Sequence, residues 1–258
     1  MSAALETMFD LDGRRALVTG ASRGIGRAIV EGLAEAGAQV AIHYHHNVEA
    51  AADVESHIRD AGGKAYTVSA DLTDRDSGER LAQFIKQKWG ALDILVNNAG
   101  NMVGRSTLEQ AGDELIDRIL QINLHGTLRA TRSLLPLLRL GEQPSIINVS
   151  SISAYNGGVN GVSIYAAAKG AINSLTRSLA KELAPTIRVN AIAPGVILTD
   201  QHHEHSTPER LDSIADTTPL KRLGKPEDCA GAVVFLASGA GAFITGETIE
   251  INGGLWMR

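Results

Sequence analysis

The chain has 258 residues, 44% of them hydrophobic, and carries a formal net charge of −5 at pH 7. This length is common for a single α/β domain with a large core, and the acidic balance provides no basic surface for nucleic acid. The single Cys229 excludes an internal disulfide, and no apolar run is long enough to span a bilayer. Because the N-terminus has no basic segment followed by an apolar run, we expect a cytoplasmic protein.

Short apolar runs alternate with amphipathic helical patterns along the chain. Strands are predicted near 15–19, 40–44, 65–69, 93–97, 145–150, 188–193 and 248–251. Helices are predicted at roughly 25–36, 48–60, 78–88, 113–135, 165–183 and 226–237. Several strands are apolar on both faces, as buried parallel strands are. The pattern predicts a single-domain α/β fold, a doubly wound parallel seven-stranded sheet with helices on both faces.

The first strand-to-helix turn reads Gly20-Ala21-Ser22-Arg23-Gly24-Ile25-Gly26. Glycines allow a tight turn, and the free N–H groups at a helix N-terminus favour a bound phosphate. An ordinary turn is the alternative, but the order of strand, turn and helix favours a dinucleotide site in a Rossmann fold.

The end of the second strand bears on which dinucleotide is bound. A carboxylate there binds the ribose 2′-hydroxyl of NAD, but this strand ends Ile42-His43-Tyr44-His45-His46-Asn47 and the next carboxylate is Glu49. Arg23 lies in the glycine loop, and Arg and His pair with a 2′-phosphate. We therefore favour NADP(H), with NAD(H) as the alternative cofactor. The alternative interpretation of the Arg and His side chains is that they simply face water.

Two further strand ends carry polar or small residues. Asp71 follows the third strand, where its carboxylate either accepts a hydrogen bond from an adenine amino group or caps a turn. Asn97-Asn98-Ala99-Gly100 ends the fourth strand, and ligands of such sheets bind at the carboxyl edge.

Tyr165 and Lys169 are four residues apart on a predicted helix and so share one face. Lowering the pKa of a phenol from near 10 to about 7 takes ~4 kcal/mol. A neighbouring ammonium and the positive nicotinamide ring of an oxidised cofactor would together supply that. Ser150 and Ser151 end the fifth strand, where a hydroxyl can bind a substrate carbonyl oxygen. A chance Tyr-Lys pair and two capping serines are the alternative.

Together these motifs resemble the short-chain dehydrogenase/reductase family, in its single-domain branch, from Gly13 to Gly254. The ending is similar to that of members that reduce 3-oxoacyl thioesters. The residues that carry the likeness are Thr19-Gly20-x-x-x-Gly24-x-Gly26, Asp71, Asn97-Asn98-Ala99-Gly100, Asn123, Ser151, Tyr165-x-x-x-Lys169, Pro194-Gly195, Ile244-Thr245-Gly246 and Asn252-Gly253-Gly254.

The resemblance implies four catalytic residues. Tyr165 would be the general acid in reduction, and Ser151 would orient the substrate carbonyl. Lys169 would hold the nicotinamide ribose and lower the Tyr165 pKa. Asn123 would hold a water that links Lys169 to solvent; the alternative is an Asn that bonds its own helix backbone.

The resemblance also implies a cofactor-binding set and a homotetramer. The set comprises Gly20, Ser22, Arg23, Gly24, Ile25, Gly26, Tyr44, His45, Asp71, Leu72, Asn98, Ala99, Gly100, Tyr165, Lys169, Pro194, Gly195, Ile197 and Thr199. The irregular stretch 196–224, which contains Pro208 and Pro219, is interpreted as a substrate lid.

We therefore predict an NADP(H)-dependent oxidoreductase of carbonyls or secondary alcohols, with a small-molecule substrate, no metal, no nucleic acid and no membrane. A 3-oxoacyl thioester is one candidate substrate; a sugar, a polyol or another small ketone is the alternative. Ser151 precedes Tyr165 by one residue more than the acyl-reductase pattern. His202, His203 and His205 lack a known metal-ligand spacing. Rival readings are a non-catalytic dinucleotide sensor and a lyase or epimerase of the extended branch.

Overall fold

A computed structural model describes residues 7–199 and 207–257. The strands are β1 (Arg15–Val18), β2 (Gln39–Tyr44), β3 (Lys64–Ser69), β4 (Ile94–Asn97), β5 (Ser145–Val149), β6 (Arg188–Pro194) and β7 (Thr248–Ile251). The helices are α1 (Gly24–Glu35), α2 (Val48–Asp60), α3 (Ser77–Lys88), α4 (Asp113–Leu120), α5 (Gly126–Leu138), α6 (Ser153–Asn156), α7 (Ser163–Leu183), α8 (Pro208–Thr217) and α9 (Pro226–Ala237). A π-helical turn (Gln121–His125) joins α4 to α5.

The seven described strands form one parallel sheet in the order β3-β2-β1-β4-β5-β6-β7. The strand order reverses between β1 and β4, which pair directly with Val18 beside Val96. The chain therefore leaves the sheet in opposite directions from these two neighbours, and a crevice opens above their carboxyl ends.

Helices cover both faces of the sheet, which confirms the predicted doubly wound fold. On one face, α1 packs against α9, and Leu33 and Val233 are fully buried in that layer. On the other face, α3 packs against α5 around the fully buried Leu81 and Leu134. The helix α7 covers β5 and β6 on this second side. The buried layers fix the directions of the strand ends that carry the polar motifs.

Every predicted strand and helix is present with ends shifted by a few residues, but two helical segments differ from the prediction. The helix predicted over 113–135 is interrupted by the π turn Gln121–His125. The helix α6 (Ser153–Asn156) was not predicted.

The stretch 196–224 is not irregular throughout, because it contains α8 (Pro208–Thr217). Pro208 occupies the first turn, where its missing N–H costs nothing, and the Thr207 hydroxyl caps the Arg210 N–H. The histidines considered as metal ligands, His202, His203 and His205, lie outside the described residues.

The structure also describes the surroundings of the single cysteine and the lengths of the helices. Cys229 is fully buried in the core, and burial raises the pKa of its thiol to about 12, as expected for a packing residue. No described helix is long and apolar enough to cross a membrane.

Candidate active site

Three glycines of the loop between β1 and α1 stand at positions where a side chain would be crowded or strained. Gly20 and Gly24 have φ angles of +64° and +55°. A Cβ atom on Gly20 would lie 3.0 Å from the Ala99 Cα, and one on Gly24 would lie 3.3 Å from the Thr199 Cγ2. A Cβ on Gly26 would overlap the Gly20 carbonyl oxygen. The glycines thus let the loop approach the segments after β4 and β6.

Hydrogen bonds tie this loop to the end of β4. The Thr19 hydroxyl oxygen accepts from the backbone N–H groups of Asn98 and Ala99, each at 3.0 Å. The Asn98 amide donates in return to the carbonyl oxygens of Thr19, at 2.8 Å, and Gly20, at 3.0 Å. Asn98 and Ala99 therefore brace the glycine loop from behind. Ile25, in the first turn of α1, packs against the core.

A histidine that sequence reasoning did not single out contacts the same loop. His43, in β2, is 2% exposed. Its Nδ1 accepts from the Gly20 N–H at 3.0 Å, and its Nε2 lies 3.0 Å from the Ala70 carbonyl oxygen. Burial lowers its pKa to about 4, so the ring is neutral at pH 7. The available signal was a polar residue within an otherwise buried apolar strand.

Asp71 both caps its own turn and contacts His45. Its Oδ1 accepts from the Thr73 N–H at 2.8 Å and from the Thr73 hydroxyl at 2.7 Å. Its Oδ2 lies 3.1 Å from the His45 Nε2. Burial opposes ionisation, but the Thr73 hydrogen bonds and the nearby His45 and His46 outweigh it and lower the Asp71 pKa. Leu72, which follows, is buried against Gly126 at the start of α5.

Several predicted cofactor contacts line one groove beside the glycine loop. Its lining includes Ser22, Arg23, Gly24 and Thr199, together with Arg27, Asn47, Glu31 and Glu227. Arg23 is exposed there, whereas Tyr44, at the end of β2, is partly exposed outside this lining. The structure thus brings the glycine loop and Thr199 to one groove.

The Ser151 hydroxyl interacts with the Tyr165 phenol at the carboxyl end of β5 and partly offsets the rise that burial causes in the pKa of the phenol. The Ser151 oxygen also accepts from the Ser153 N–H at 3.1 Å. Ser150 instead donates its hydroxyl to the Lys169 carbonyl oxygen at 3.2 Å, inside α7. Ser151, not Ser150, is therefore the serine beside the phenol.

The Tyr165 pKa in the chain alone moves opposite to the expected direction. Burial raises it, and the Ser151 hydroxyl only partly opposes that effect. The Lys169 Nζ lies 5.7 Å from the centre of the Tyr165 ring and donates to the Val149 carbonyl oxygen at 2.8 Å. Because Lys169 is itself buried, its own pKa falls to about 8. The expected lowering of the Tyr165 pKa is assigned to Lys169 together with the nicotinamide ring of an oxidised cofactor, so it stays a prediction for the complex.

Asn123 lies in the π turn, close to Lys169. Its Oδ1 accepts from the Asn101 N–H at 3.1 Å, and its Nδ2 donates to the carbonyl oxygens of Asn101, at 2.7 Å, and Ile119, at 2.9 Å. A Cβ on Gly100 would lie 2.8 Å from the Asn123 Oδ1 and 3.1 Å from the Lys169 Nζ. Gly100 therefore separates the two side chains without filling the space between them. The Ile119 bond is the backbone contact considered as the alternative reading.

Known proteins resemble this chain over nearly all of its length. Residues 20–256 match the family described as enoyl-(acyl carrier protein) reductase. The 3-oxoacyl-(acyl-carrier-protein) reductase FabG of Staphylococcus aureus is 39% identical over 95% of this chain and 98% of its own. The chain belongs to the short-chain dehydrogenase/reductase family. Relatives of this chain include reductases and dehydrogenases, and Ser151, Tyr165 and Lys169 are the side chains that the resemblance singles out.

Two solved family structures extend the comparison. The RhlG/NADP active-site complex of Pseudomonas aeruginosa is 37% identical, with a TM-score of 0.90 over 96% of this chain and 98% of that chain. A 7α-hydroxysteroid dehydrogenase complexed with NADH and a 7-oxo bile acid is 34% identical, with a TM-score of 0.91 over 96% of each chain. Family structures thus include complexes with either dinucleotide.

The family's proline-glycine segment follows β6 in this member. The Pro194 carbonyl oxygen accepts from the Ile152 N–H at 2.9 Å, and the Gly195 N–H donates to the Ile251 carbonyl oxygen at 2.9 Å. Ile197 is buried and forms a parallel bridge with Gly224. This backbone bridge therefore joins the two ends of the predicted lid, 196–224.

An aromatic pair stands near the Ser151 end of this segment. Tyr155, in α6, stacks on Trp256 with ring centroids 4.7 Å apart and an interplanar angle of 17°. Trp256 therefore packs against its own chain. Tyr155 lies four residues after Ser151, in α6.

Proposed function

We propose that the protein is an NADP(H)-dependent reductase of a small-molecule ketone, with a 3-oxoacyl thioester as the first candidate substrate. The observation that carries this proposal is the juxtaposition of the Ser151 hydroxyl and the Tyr165 phenol, with Lys169 one helical turn further along α7. The three side chains lie at the carboxyl edge of the sheet, on the same edge as the glycine loop.

The residues on this edge fit a dinucleotide. The loop at Gly20, Gly24 and Gly26 is a cradle that any Cβ atom would fill. The N-terminus of α1 presents free N–H groups to a phosphate. Arg23 is exposed beside it, and β2 ends without a carboxylate to repel a 2′-phosphate. These features favour NADP(H), with NAD(H) as the alternative.

When bound, the cofactor supplies the hydride that reduces the carbonyl carbon. The Ser151 hydroxyl binds the carbonyl oxygen and orients it toward the phenol. Tyr165 donates its phenolic proton to that oxygen as the alkoxide develops, and the bond from hydrogen to the Tyr165 oxygen breaks. Lys169 keeps a positive charge near the resulting phenolate, and Asn123 holds the segment at Asn101 in place beside it.

Burial raises the pKa of Tyr165 in the chain alone, so the phenol is protonated at pH 7, as the proton donor in reduction must be. A raised pKa also makes the phenol a weaker acid, so proton transfer to the developing alkoxide depends on added positive charge near the ring. Oxidation of an alcohol needs the phenolate and depends on the same added charge.

The acyl substrate is supported by the relationship to FabG. The Ser151–Tyr165 spacing, one residue longer than the acyl-reductase pattern, is the reason to keep a sugar, a polyol or another small ketone as the second candidate. Tyr155, in α6 after Ser151, stacks on Trp256 and forms an aromatic pair with it. We place the protein in the cytoplasm, and we propose that 196–224 acts as its lid.

A homotetramer through the outer faces of α5 and α7 is part of the same proposal. Leu128 on α5 is 40% exposed, and Ala167 on α7 is exposed beside the site. Sedimentation as a monomer at micromolar concentration would contradict this assembly.

The decisive experiment compares wild type with Tyr165→Phe on a panel of 3-oxoacyl thioesters, sugars and simple ketones, followed by NADPH absorbance. We expect turnover to fall by about 10²–10⁴-fold while the NADPH dissociation constant stays the same. Tyr66→Phe, which alters a tyrosine that packs against Trp89 at the sheet edge, is the matched control and should be active. Normal turnover by Tyr165→Phe would refute the mechanism. NADPH binding without reduction of any carbonyl would favour the sensor.

A further inference from the structure

His43 joins two loops that the cofactor would contact. Its Nδ1 accepts from the Gly20 N–H at 3.0 Å, and its Nε2 lies 3.0 Å from the carbonyl oxygen of Ala70, the residue before Asp71. The His43 backbone carbonyl oxygen also accepts from the Ala21 N–H at 2.8 Å. One buried residue thus holds the glycine loop through both its side chain and its backbone.

The two side-chain contacts define one state of the ring. A backbone N–H can only donate, so Nδ1 carries no proton; Nε2 carries it and donates to the Ala70 carbonyl oxygen. Neither partner is a side chain that can rotate to another group. The distance from the Gly20 peptide to the Ala70 peptide is therefore set by the width of a neutral imidazole.

We infer that His43 is a positioning residue for the adenosine half of the cofactor, because it fixes the glycine loop relative to the Ala70–Asp71 segment. The inference rests on the proposed function, in which the loop at Gly20 holds the phosphates, and on the adenine contact that the sequence predicts at Asp71. Tyr165, Lys169 and the nicotinamide side of the crevice have no hydrogen bond to His43 in the described structure.

Loss of the ring would leave the Gly20 N–H and the Ala70 carbonyl without their partner. A buried donor or acceptor left unpaired costs enough to relax the backbone that carries it. A relaxed loop must be restored when the adenosine half binds, so the cost appears as lost affinity. A role in packing alone would lower stability and leave affinity unchanged.

Asn190 provides a matched control. It is 1% exposed in β6, its Nδ2 donates to the Ile244 carbonyl oxygen at 2.8 Å, and its Oδ1 accepts from the Glu247 N–H at 3.0 Å. It therefore makes the same number of buried backbone contacts as His43, but to the segment before β7.

The experiment measures dissociation constants by titration calorimetry for NADPH, adenosine 2′,5′-bisphosphate and reduced nicotinamide mononucleotide. The variants are His43→Phe, which removes both contacts, His43→Asn, whose side-chain oxygen retains an acceptor near the Nδ1 position, and Asn190→Leu. For His43→Phe we expect about tenfold weaker binding of NADPH and of the bisphosphate, with binding of the mononucleotide unchanged. His43→Asn should recover part of that loss. Asn190→Leu should lower the melting temperature and leave all three constants unchanged.

Unchanged constants in both His43 variants, or equal weakening of the two cofactor halves, would overturn the inference. If His43→Phe does not fold, His43→Asn decides the test by the same selectivity, because its shorter side chain cannot reach Ala70. A wild-type protein that binds none of the three probes would refute the proposed function instead. Nitrogen NMR of the wild type adds an independent readout, and a proton on Nδ1 would contradict the geometry.

Discussion

The Lys169 ammonium donates a 2.8 Å hydrogen bond to the Val149 carbonyl oxygen, the last residue of β5. Lys169 is 3% exposed, and no salt bridge joins it to a carboxylate among the described residues. Burial lowers its pKa to about 8, so the side chain is still charged at pH 7 at a cost in folding free energy. The Lys169 ammonium, which would act beside Tyr165, is thus held in a buried position where its charge destabilises the protein without cofactor.

Replacing Lys169 with Met should stabilise the fold while it abolishes activity. The unfolded lysine binds its proton more tightly than the folded one, so folding is penalised below pH 8 and the penalty disappears as pH rises toward 10.5. The pKa difference corresponds to at most ~3 kcal/mol, from which the lost Val149 hydrogen bond subtracts ~1–2 kcal/mol. Calorimetry at pH 7 should therefore show a melting temperature higher by about 2–6 °C.

Lys181→Met, at an exposed position of the same helix, is the control and should melt within about 2 °C of wild type. A lower melting temperature for Lys169→Met would mean that the buried ammonium stabilises the fold, contrary to its lowered pKa. The stability gain should also shrink when the measurement is repeated above pH 9.

The two adjacent serines should give different kinetic results. Ser151→Ala removes the hydroxyl beside Tyr165 and should reduce kcat by about 10²–10³-fold, because one donor to the developing oxyanion is lost. Ser150→Ala removes only a bond to the Lys169 carbonyl oxygen and should cost about 1 kcal/mol of stability, with a much smaller kinetic effect. Steady-state kinetics and thermal melts of both variants check this. Equal losses of kcat would show that the serine assignment is wrong.

Local sequence signals were sufficient for the sheet and for placing Tyr165 and Lys169 on one helix face, whereas their catalytic roles stay predictions. Strand ends are fixed by apolar runs, and the four-residue separation of Tyr165 and Lys169 fixes their shared helix face. Contacts between residues that are far apart in the chain could not be predicted from these local signals. The role of His43 needs Gly20 and Ala70 to meet at one ring, although they are 50 residues apart in the chain.

The π turn and the pKa of Tyr165 were missed for related reasons. Apolar periodicity does not distinguish an α-helix from one with a single wider turn, so 113–135 was predicted as continuous. The direction of a pKa shift depends on burial as well as on neighbouring charge, and the sequence indicated only the charges of Lys169 and the nicotinamide ring. The helix α8 (Pro208–Thr217) was overlooked although Thr207-Pro208 is a typical start of a helix.

Cofactor preference should respond to a carboxylate at the end of β2. Tyr44→Asp places a negative charge where the ribose 2′-position would lie, so it should repel a 2′-phosphate and accept a hydrogen bond from a 2′-hydroxyl. We expect the ratio of kcat/KM for NADPH to that for NADH to fall by about 100-fold. Tyr44→Asn removes the ring without adding charge and separates the two effects. A wild-type preference for NADH would contradict the argument from Arg23 and Tyr44.

The pH dependence of stability should carry the signature of His43. Its pKa is about 4 in the folded chain and 6.5 for a free imidazole, so the unfolded chain binds more protons between these values. Stability is therefore fully present above pH 6.5 and is lost as pH falls toward 4, by up to ~3 kcal/mol from this group. Asp71 and His45, the charged or titratable groups nearest the ring, act on it in opposite directions.

Denaturant unfolding at pH 7.0, 6.0, 5.0 and 4.5 would measure this loss, with His43→Asn and Asn190→Leu unfolded in parallel. The wild type and Asn190→Leu should lose stability in parallel as pH falls, because both retain the buried imidazole. His43→Asn starts lower at pH 7 but has no ring to protonate, so its curve should be flatter by the His43 contribution. Parallel curves for wild type and His43→Asn would mean that the ring already titrates normally in the folded protein, and that the Gly20 N–H does not hold Nδ1 in its unprotonated state.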